Sequence, residues 1–157
     1  MQIIKSLLSK VVILVCFFQI HHSYTFVPGF SSQGYISYQE GTNNQYICAT
    51  LDSQERILSA GTIVIGGTTL CFVTRHLAIG SLDTSFGING RKTFERSVLA
   101  SPLAIAVDTQ NRILICGSDY DAQAGSKAAV VRLLSDGSLD NSFGTGGVAK
   151  VNAYKCL

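Results

Sequence analysis

A fifteen-residue stretch that returns 57 residues later constrains the fold of this chain more than any other feature. Val73-Thr-Arg-His-Leu-Ala-Ile-Gly-Ser-Leu-Asp-Thr-Ser-Phe-Gly87 recurs as Val130-Val-Arg-Leu-Leu-Ser-Asp-Gly-Ser-Leu-Asp-Asn-Ser-Phe-Gly144, identical at ten of fifteen positions. Upstream, Asp52-Ser-Gln-Glu-Arg-Ile-Leu58 returns as Asp108-Thr-Gln-Asn-Arg-Ile-Leu114 at an offset of 56. One residue therefore enters between Gly117 and Arg132, and a loop absorbs such an insertion most readily. A weaker third copy precedes both, because Phe30 and Gly34 stand 56 before Phe86 and Gly90. A period of this size marks a propeller or solenoid built from stacked supersecondary units.

Each unit divides into short strands. Residues 46–51 and 103–107 are apolar-rich runs, each followed by an Asp that opens a four-residue turn, and 56–61 and 112–117 return antiparallel. Gly66-Gly67, between the β-formers 62–65 and 68–69, predicts a two-residue hairpin, since glycine accepts the positive φ of primed turns. The second unit carries 118–125 in its place. A third strand is expected over 73–77 and 130–134, and a fourth over 35–38, 91–94 and 148–151. No useful run of helical periodicity occurs after residue 25. In the repeated Gly-Ser-Leu-Asp-x-Ser-Phe-Gly, glycine permits the turn, Asp83 and Asp140 can accept from amides two residues on, and Phe86 and Phe143 can plug between layers.

These linked motifs, Gly-Ser-Leu-Asp-(Thr/Asn)-Ser-Phe-Gly-x-x-Gly preceded by Asp-x-Gln-x-Arg-Ile-Leu, resemble the delta-60 repeat, a β-propeller-like family of unknown function. The likeness covers about residues 26–151. It implies blades of about four antiparallel strands, often in secreted or surface bacterial proteins, and no activity. The first copy departs from the pattern at Ala78-Ile79, where the family often has a charged or Asn-Gly-like turn. The expected fold is all-β: a partial propeller-like array of units of about 57 residues.

Residues 1–23 contain no acid and place Lys5 and Lys10 ahead of the ten-residue apolar run 11–20, the layout of a secretory signal peptide. That run is too short to cross a bilayer core of about 30 Å as a helix, so no stable membrane span is expected. A β-repeat domain would then occupy 24–157, exported to the periplasm or the extracellular space. Its 10 basic and 10 acidic residues lack the excess positive charge that binds phosphate backbones, which argues against nucleic acid. Its cysteines are Cys48, Cys71, Cys116 and Cys156. An oxidising compartment permits three pairings, and the other reading is small apolar residues buried on strands.

Propellers close with about four to eight blades, whereas the stretch after residue 23 holds two units and the opening of a third. The chain is thus a piece of a longer array, or several chains complete a ring, or the units form an open stack. Exposed sheet edges then call for self-association or a protein partner.

Enzymatic chemistry is not visible. After residue 23 the one histidine, His76, aligns with Leu133 and takes a packing position. No nucleophile elbow surrounds Ser85 or Ser142, and 63–69 lacks the Gly-Lys-Ser/Thr of a P-loop. Catalytic, cofactor-binding and metal-binding residues are therefore not assigned. Asp136 beside the repeated Asp pairs would suit calcium, but the first copy has Ile79 there. Arg75, Arg132, Arg56 and Arg112 recur, which fits turn or interblade ion pairs with Asp83, Asp140, Asp52 or Asp108. A ring of arginines around a channel for an anion is the functional alternative. The divergent segment 119–125 is the best candidate for a binding loop. The leading expectation is a non-catalytic structural or interaction module; the alternative is a carbohydrate-binding or enzymatic propeller whose site forms only in a longer or oligomeric assembly.

Overall fold

The computed structural model describes residues 42–120 and 127–151. The 1–23 segment, the third copy around Phe30 and Gly34 and Cys156 lie outside the described residues. The described chain is all-β. Its strands are β1 (Thr42–Leu51), β2 (Ile57–Ile65), β3 (Thr68–His76), β4 (Arg91–Phe94), β5 (Ser101–Val107), β6 (Ile113–Ser118), β7 (Ala128–Leu133) and β8 (Val148–Val151). They form two antiparallel sheets, ordered β1-β2-β3-β4 and β5-β6-β7-β8. Each repeat is one four-stranded blade. Among the described residues no helix is long and apolar enough to cross a membrane.

β4 and β8 coincide with the expected fourth strands, and Gly66 and Gly67, with φ of 58° and 79°, make the two-residue turn between β2 and β3. Elsewhere the bounds differ. β2 runs unbroken from Ile57 to Ile65, joining through Gly61 the expected strand 56–61 and the β-formers 62–65. That glycine does not break its strand. It faces a bulge in β1, where the register with β2 slips between Tyr46 and Cys48, and a Cβ there would collide with the Gln45 carbonyl oxygen. Gly117 serves the second blade alike, beneath the irregularity between Pro102 and Ala104. Third strands likewise start earlier than expected, at Thr68 and Ala128, and end one residue sooner, at His76 and Leu133.

Register decides which side chains share a face. Leu58 and Ala60 of β2 lie with Cys71 and Val73 of β3, whereas Ile113 and Ile115 of β6 lie with Ala129, Val131 and Leu133 of β7. These two faces meet in one core, joined by Phe86, Phe94, Leu99 and Ile105. The repeat equivalents of Ile113, Ile115, Val131 and Leu133 are Ile57, Ser59, Thr74 and His76, which point to the far side of the first sheet. The back of one blade thus receives the front of the next, the one-way stacking of a propeller-like array.

That far side is buried but partly polar, with Ser59, Thr74 and His76 beside Ile57, Ile63 and Phe72. The Tyr46 ring meets Phe72 edge-on at 5.1 Å. Among the described residues His76 Nδ1 finds no hydrogen-bond partner. Burial pushes the His76 imidazole below its ordinary pKa, so it packs neutral.

Candidate functional site

Four Asp-centred turns carry most of the ordered polar contacts. Asp52 accepts through Oδ1 from the amides of Gln54 (2.9 Å) and Arg56 (3.0 Å), and through Oδ2 from Arg56 Nε (2.6 Å). Asp108 repeats this with Gln110 N (2.9 Å), Arg112 N (2.9 Å) and Arg112 Nε (2.6 Å). Asp83 Oδ1 accepts from Ser85 N (3.1 Å) and Ser85 Oγ (2.6 Å), while Oδ2 accepts from Arg75 Nε (2.7 Å). Asp140 does the same with Ser142 N (3.0 Å), Ser142 Oγ (2.6 Å) and Arg132 Nε (2.7 Å). An Asp followed by a short polar residue fills an amide that the turn would leave unpaired, so these pairs follow from local backbone chemistry.

The ion pairs suggested by the recurring residues all form, and they form inside each blade rather than between blades. Arg56 Nη1 also approaches Asp83 Oδ2 at 3.6 Å, tying the two turns of the first blade together. Each repeat arginine lies over its phenylalanine, Arg75 at 4.8 Å from the Phe86 ring centre and Arg132 at 4.5 Å from that of Phe143. Burial opposes ionisation of Asp83, but the Ser85 hydroxyl and amide and the Arg75 guanidinium outweigh it and hold the carboxyl below its usual range. At Asp140 the Ser142 hydroxyl has the largest effect in the same direction, with burial opposing. Both remain carboxylates.

Where the blades meet, two contacts are made to backbone and one between side chains. Arg75 Nη1 donates to the Ser135 carbonyl, Gly87 N–H donates to the Asp136 carbonyl at 2.7 Å, and Ser53 Oγ donates to Asn111 Oδ1 at 2.6 Å. An open cleft of about 340 Å³ follows this seam, lined by Gln54, Arg56, Arg75 and Ser85 from one side and Gln110, Asn111, Ser135 and Asp136 from the other. Its arginines are engaged by carboxylates, and Asp136 accepts from Ser138 Oγ at 2.6 Å and Ser138 N at 2.8 Å. Its amide side chains can bond a neutral polar group. Ser85 and Ser135 supply its hydroxyls; Ser85 donates to the Asp83 carboxylate that Arg75 also holds, and among the described residues no histidine lines the cleft.

Sequence reasoning singled out 119–125. Asp119 and Tyr120 are described; 121–126 lie outside the described residues. Asp119 is buried and fastens the base of the segment, accepting from Lys127 N (2.7 Å) and Lys150 Nζ (2.8 Å) and donating its own amide to Lys127 O (2.9 Å). Tyr120 lies half-exposed under the Arg96 guanidinium at 4.5 Å. Asp136, considered as an extra calcium ligand, joins no such cluster: among the described residues no three His, Cys, Asp or Glu side chains gather as a metal would require. His76 sits on β3 at its expected packing position.

The cysteines Cys48, Cys71 and Cys116 are free thiols on β1, β3 and β6. Cys71 is buried and Cys48 partly so, but Cys116 is exposed, a correction to the reading that placed all of them inside. It lies on the face of β6 opposite Ile115, away from the shared core. Burial pushes the Cys48 thiol up to about 11 and the Cys71 thiol up to about 12.

The seam bonds to Ser135 and Asp136 carbonyls escaped sequence reading because backbone acceptors carry no residue signature. Recurrence of Arg75 as Arg132 was the only available signal. A family model described as a domain of unknown function, the DUF5122 β-propeller, matches residues 111–143, which hold β6, β7 and the Asp140 turn. No curated protein and no solved structure matches the chain. With two stacked four-stranded sheets, that match gives an all-β protein of β-propeller-like repeats whose second blade resembles a domain of unknown function.

Proposed function

We propose that this chain is an exported, non-catalytic module of the delta-60 type, serving as a structural or interaction scaffold that associates through its open sheet edges. The observation that carries the reading is duplication: Asp83–Ser85–Arg75 and Asp140–Ser142–Arg132 have the same bonds in both blades. Groups needed by each unit are architectural, whereas a catalytic set occurs once. Export rests on the layout of residues 1–23 and is tested by fusing them to a periplasmic reporter, which should be active outside the cytoplasm. Light scattering on the purified chain tests association, and a rigid monomer at all concentrations would refute it.

A carbohydrate-binding role is the second reading, favoured by the amides of Gln54, Gln110 and Asn111 along the seam cleft. A glycan array probed with and without calcium tests it; uniform absence of binding leaves the scaffold.

A further inference from the structure

The far side of the first sheet is sealed, but not by the second blade. Thr74 is fully buried there, and Ile57, Ser59 and His76 are buried beside it. The core shared with the second blade lies on the opposite face, with Leu58, Ala60, Cys71 and Val73. Gly80, in the turn that follows β3, is buried as well. A sheet face loses water only to atoms packed on it, so a further part of the chain covers this one.

The repeat identifies what covers such a face. In the second blade the same positions are Ile113, Ile115, Val131 and Leu133, and they share a core with Phe86 and Phe94 of the unit before. The Phe86 ring lies against Gly137, where an added Cβ would come within 2.9 Å of it. Gly80 and Gly137 close the same turn: each has φ 89°, and their amides donate to Leu77 O at 2.8 Å and Leu134 O at 3.0 Å. One 56-residue step back from Phe86 and Phe94 stand Phe30 and Tyr38.

The two faces differ in polarity, and so do these rings. Ser59, Thr74 and His76 replace Ile115, Val131 and Leu133, while Tyr38 replaces Phe94. A phenol hydroxyl suits a face that has gained two hydroxyls and an imidazole whose Nδ1 lacks a partner among the described residues. Phe94 pairs with Cys71 and shares its face, so the strand period of two puts the equivalents of Phe94 and Lys92, Tyr38 and Ile36, on one side.

We propose that residues 30–38 form a strap that seals the far side of the first blade. Phe30 closes on Gly80 as Phe86 closes on Gly137, and Ile36 and Tyr38 lie over Ser59, Thr74 and His76. Only the ring and the strand carry over from the repeat. Ser31 replaces Gly87, where a Cβ would collide with the Arg91 carbonyl, so the turn after the ring differs in this copy. The strap also limits processing: the leader must be cut before Phe30, because a cut beyond it would strip the cover.

The chain contains no tryptophan, so Phe30→Trp and Tyr38→Trp each place a single reporter in the strap. In the full chain at low micromolar concentration both should show blue-shifted emission and slow quenching by acrylamide, lost in urea together with the circular dichroism signal. A double-mutant cycle gives the second readout. Phe30→Ala should lower the melting temperature by roughly 6 °C or more, the order expected for a large buried ring. Gly80→Ala strains a positive φ in any background, but its clash with the ring requires the ring, so its loss should shrink by about half or more in the Phe30→Ala chain. If Phe30→Ala abolishes folding, Phe30→Leu takes its place in the cycle.

Solvent-exposed emission from either reporter overturns the strap, whatever the melts show. Buried emission with strictly additive losses at positions 30 and 80 overturns the placement of Phe30 on Gly80 and the register taken from the repeat.

Discussion

Replacing Phe86 or Phe143 by alanine makes the same chemical change at equivalent positions of the repeat, and the structure requires unequal costs. Phe86 is fully buried: its ring lies against Gly137, under Arg75 and within the shared core. Removing a fully buried phenylalanine costs roughly 3–5 kcal/mol, including the void it leaves. Phe143 has the equivalent arginine over it but no counterpart of Gly137 among the described residues, and its ring is only partly buried. Its loss should cost about 1–2 kcal/mol by the apolar area returned to water. The difference, about 2 kcal/mol, corresponds to a melting temperature lower by roughly 4–8 °C for Phe86→Ala than for Phe143→Ala in a chain of this size. Thermal melts followed by circular dichroism at micromolar concentration or below, where association is minimal, measure it. Equal losses would refute the one-way stacking, because they would mean that both rings have the same surroundings.

Other consequences follow from individual side chains. His76→Leu, which installs the residue found at Leu133, removes a buried nitrogen that has no partner among the described residues and should raise stability by about 1–2 kcal/mol in denaturant titrations. The imidazole pKa is lowered in the fold, so His76 costs no proton-linked stability above its unfolded value near 6.5 and progressively destabilises the fold as pH drops below it. His76→Leu should therefore flatten the pH dependence of stability from pH 6.5 to 5. Asp83, Asp140 and Asp136 have lowered pKa values, so their contribution is present above about 3.9, the unfolded value, and is lost as pH falls through the folded values; acid unfolding should be steep below pH 4. Gly61→Ala should cost roughly 1–3 kcal/mol by forcing β1 away from the new methyl group, whereas Gly66→Ala, with open space around it, should show only the strain of its positive φ. Iodoacetamide at pH 8 should label Cys116 well before Cys48 and Cys71, as read by peptide mass, since the last two are held as thiols.

What was legible in the sequence was whatever local chemistry repeats. β4 and β8 and the Asp-to-amide turns are set within a few residues, so internal comparison of the chain located them, and the glycine hairpin of the first unit was read from its own local turn chemistry. Strand limits were less legible where a glycine serves a neighbour. Gly61 reads as a breaker when its own strand is considered alone, and only pairing with β1 shows that it accommodates a bulge. The exposure of Cys116 depends on which face of β6 another blade covers, a fact of stacking absent from the strand's composition. The seam cleft was hidden for the same reason: Gln54 and Gln110 are equivalent residues, yet they line the cleft together only because successive blades lie side by side.

The carbonyl-reading seam also bears on how such an array can change over time. A joint specified by main-chain oxygens and one side-chain-free position tolerates substitutions at the intervening sites, since Ser135 and Asp136 are held there by their carbonyls. Whole units can therefore be duplicated, deleted or reordered without redesigning each boundary, while surface residues diverge independently from unit to unit.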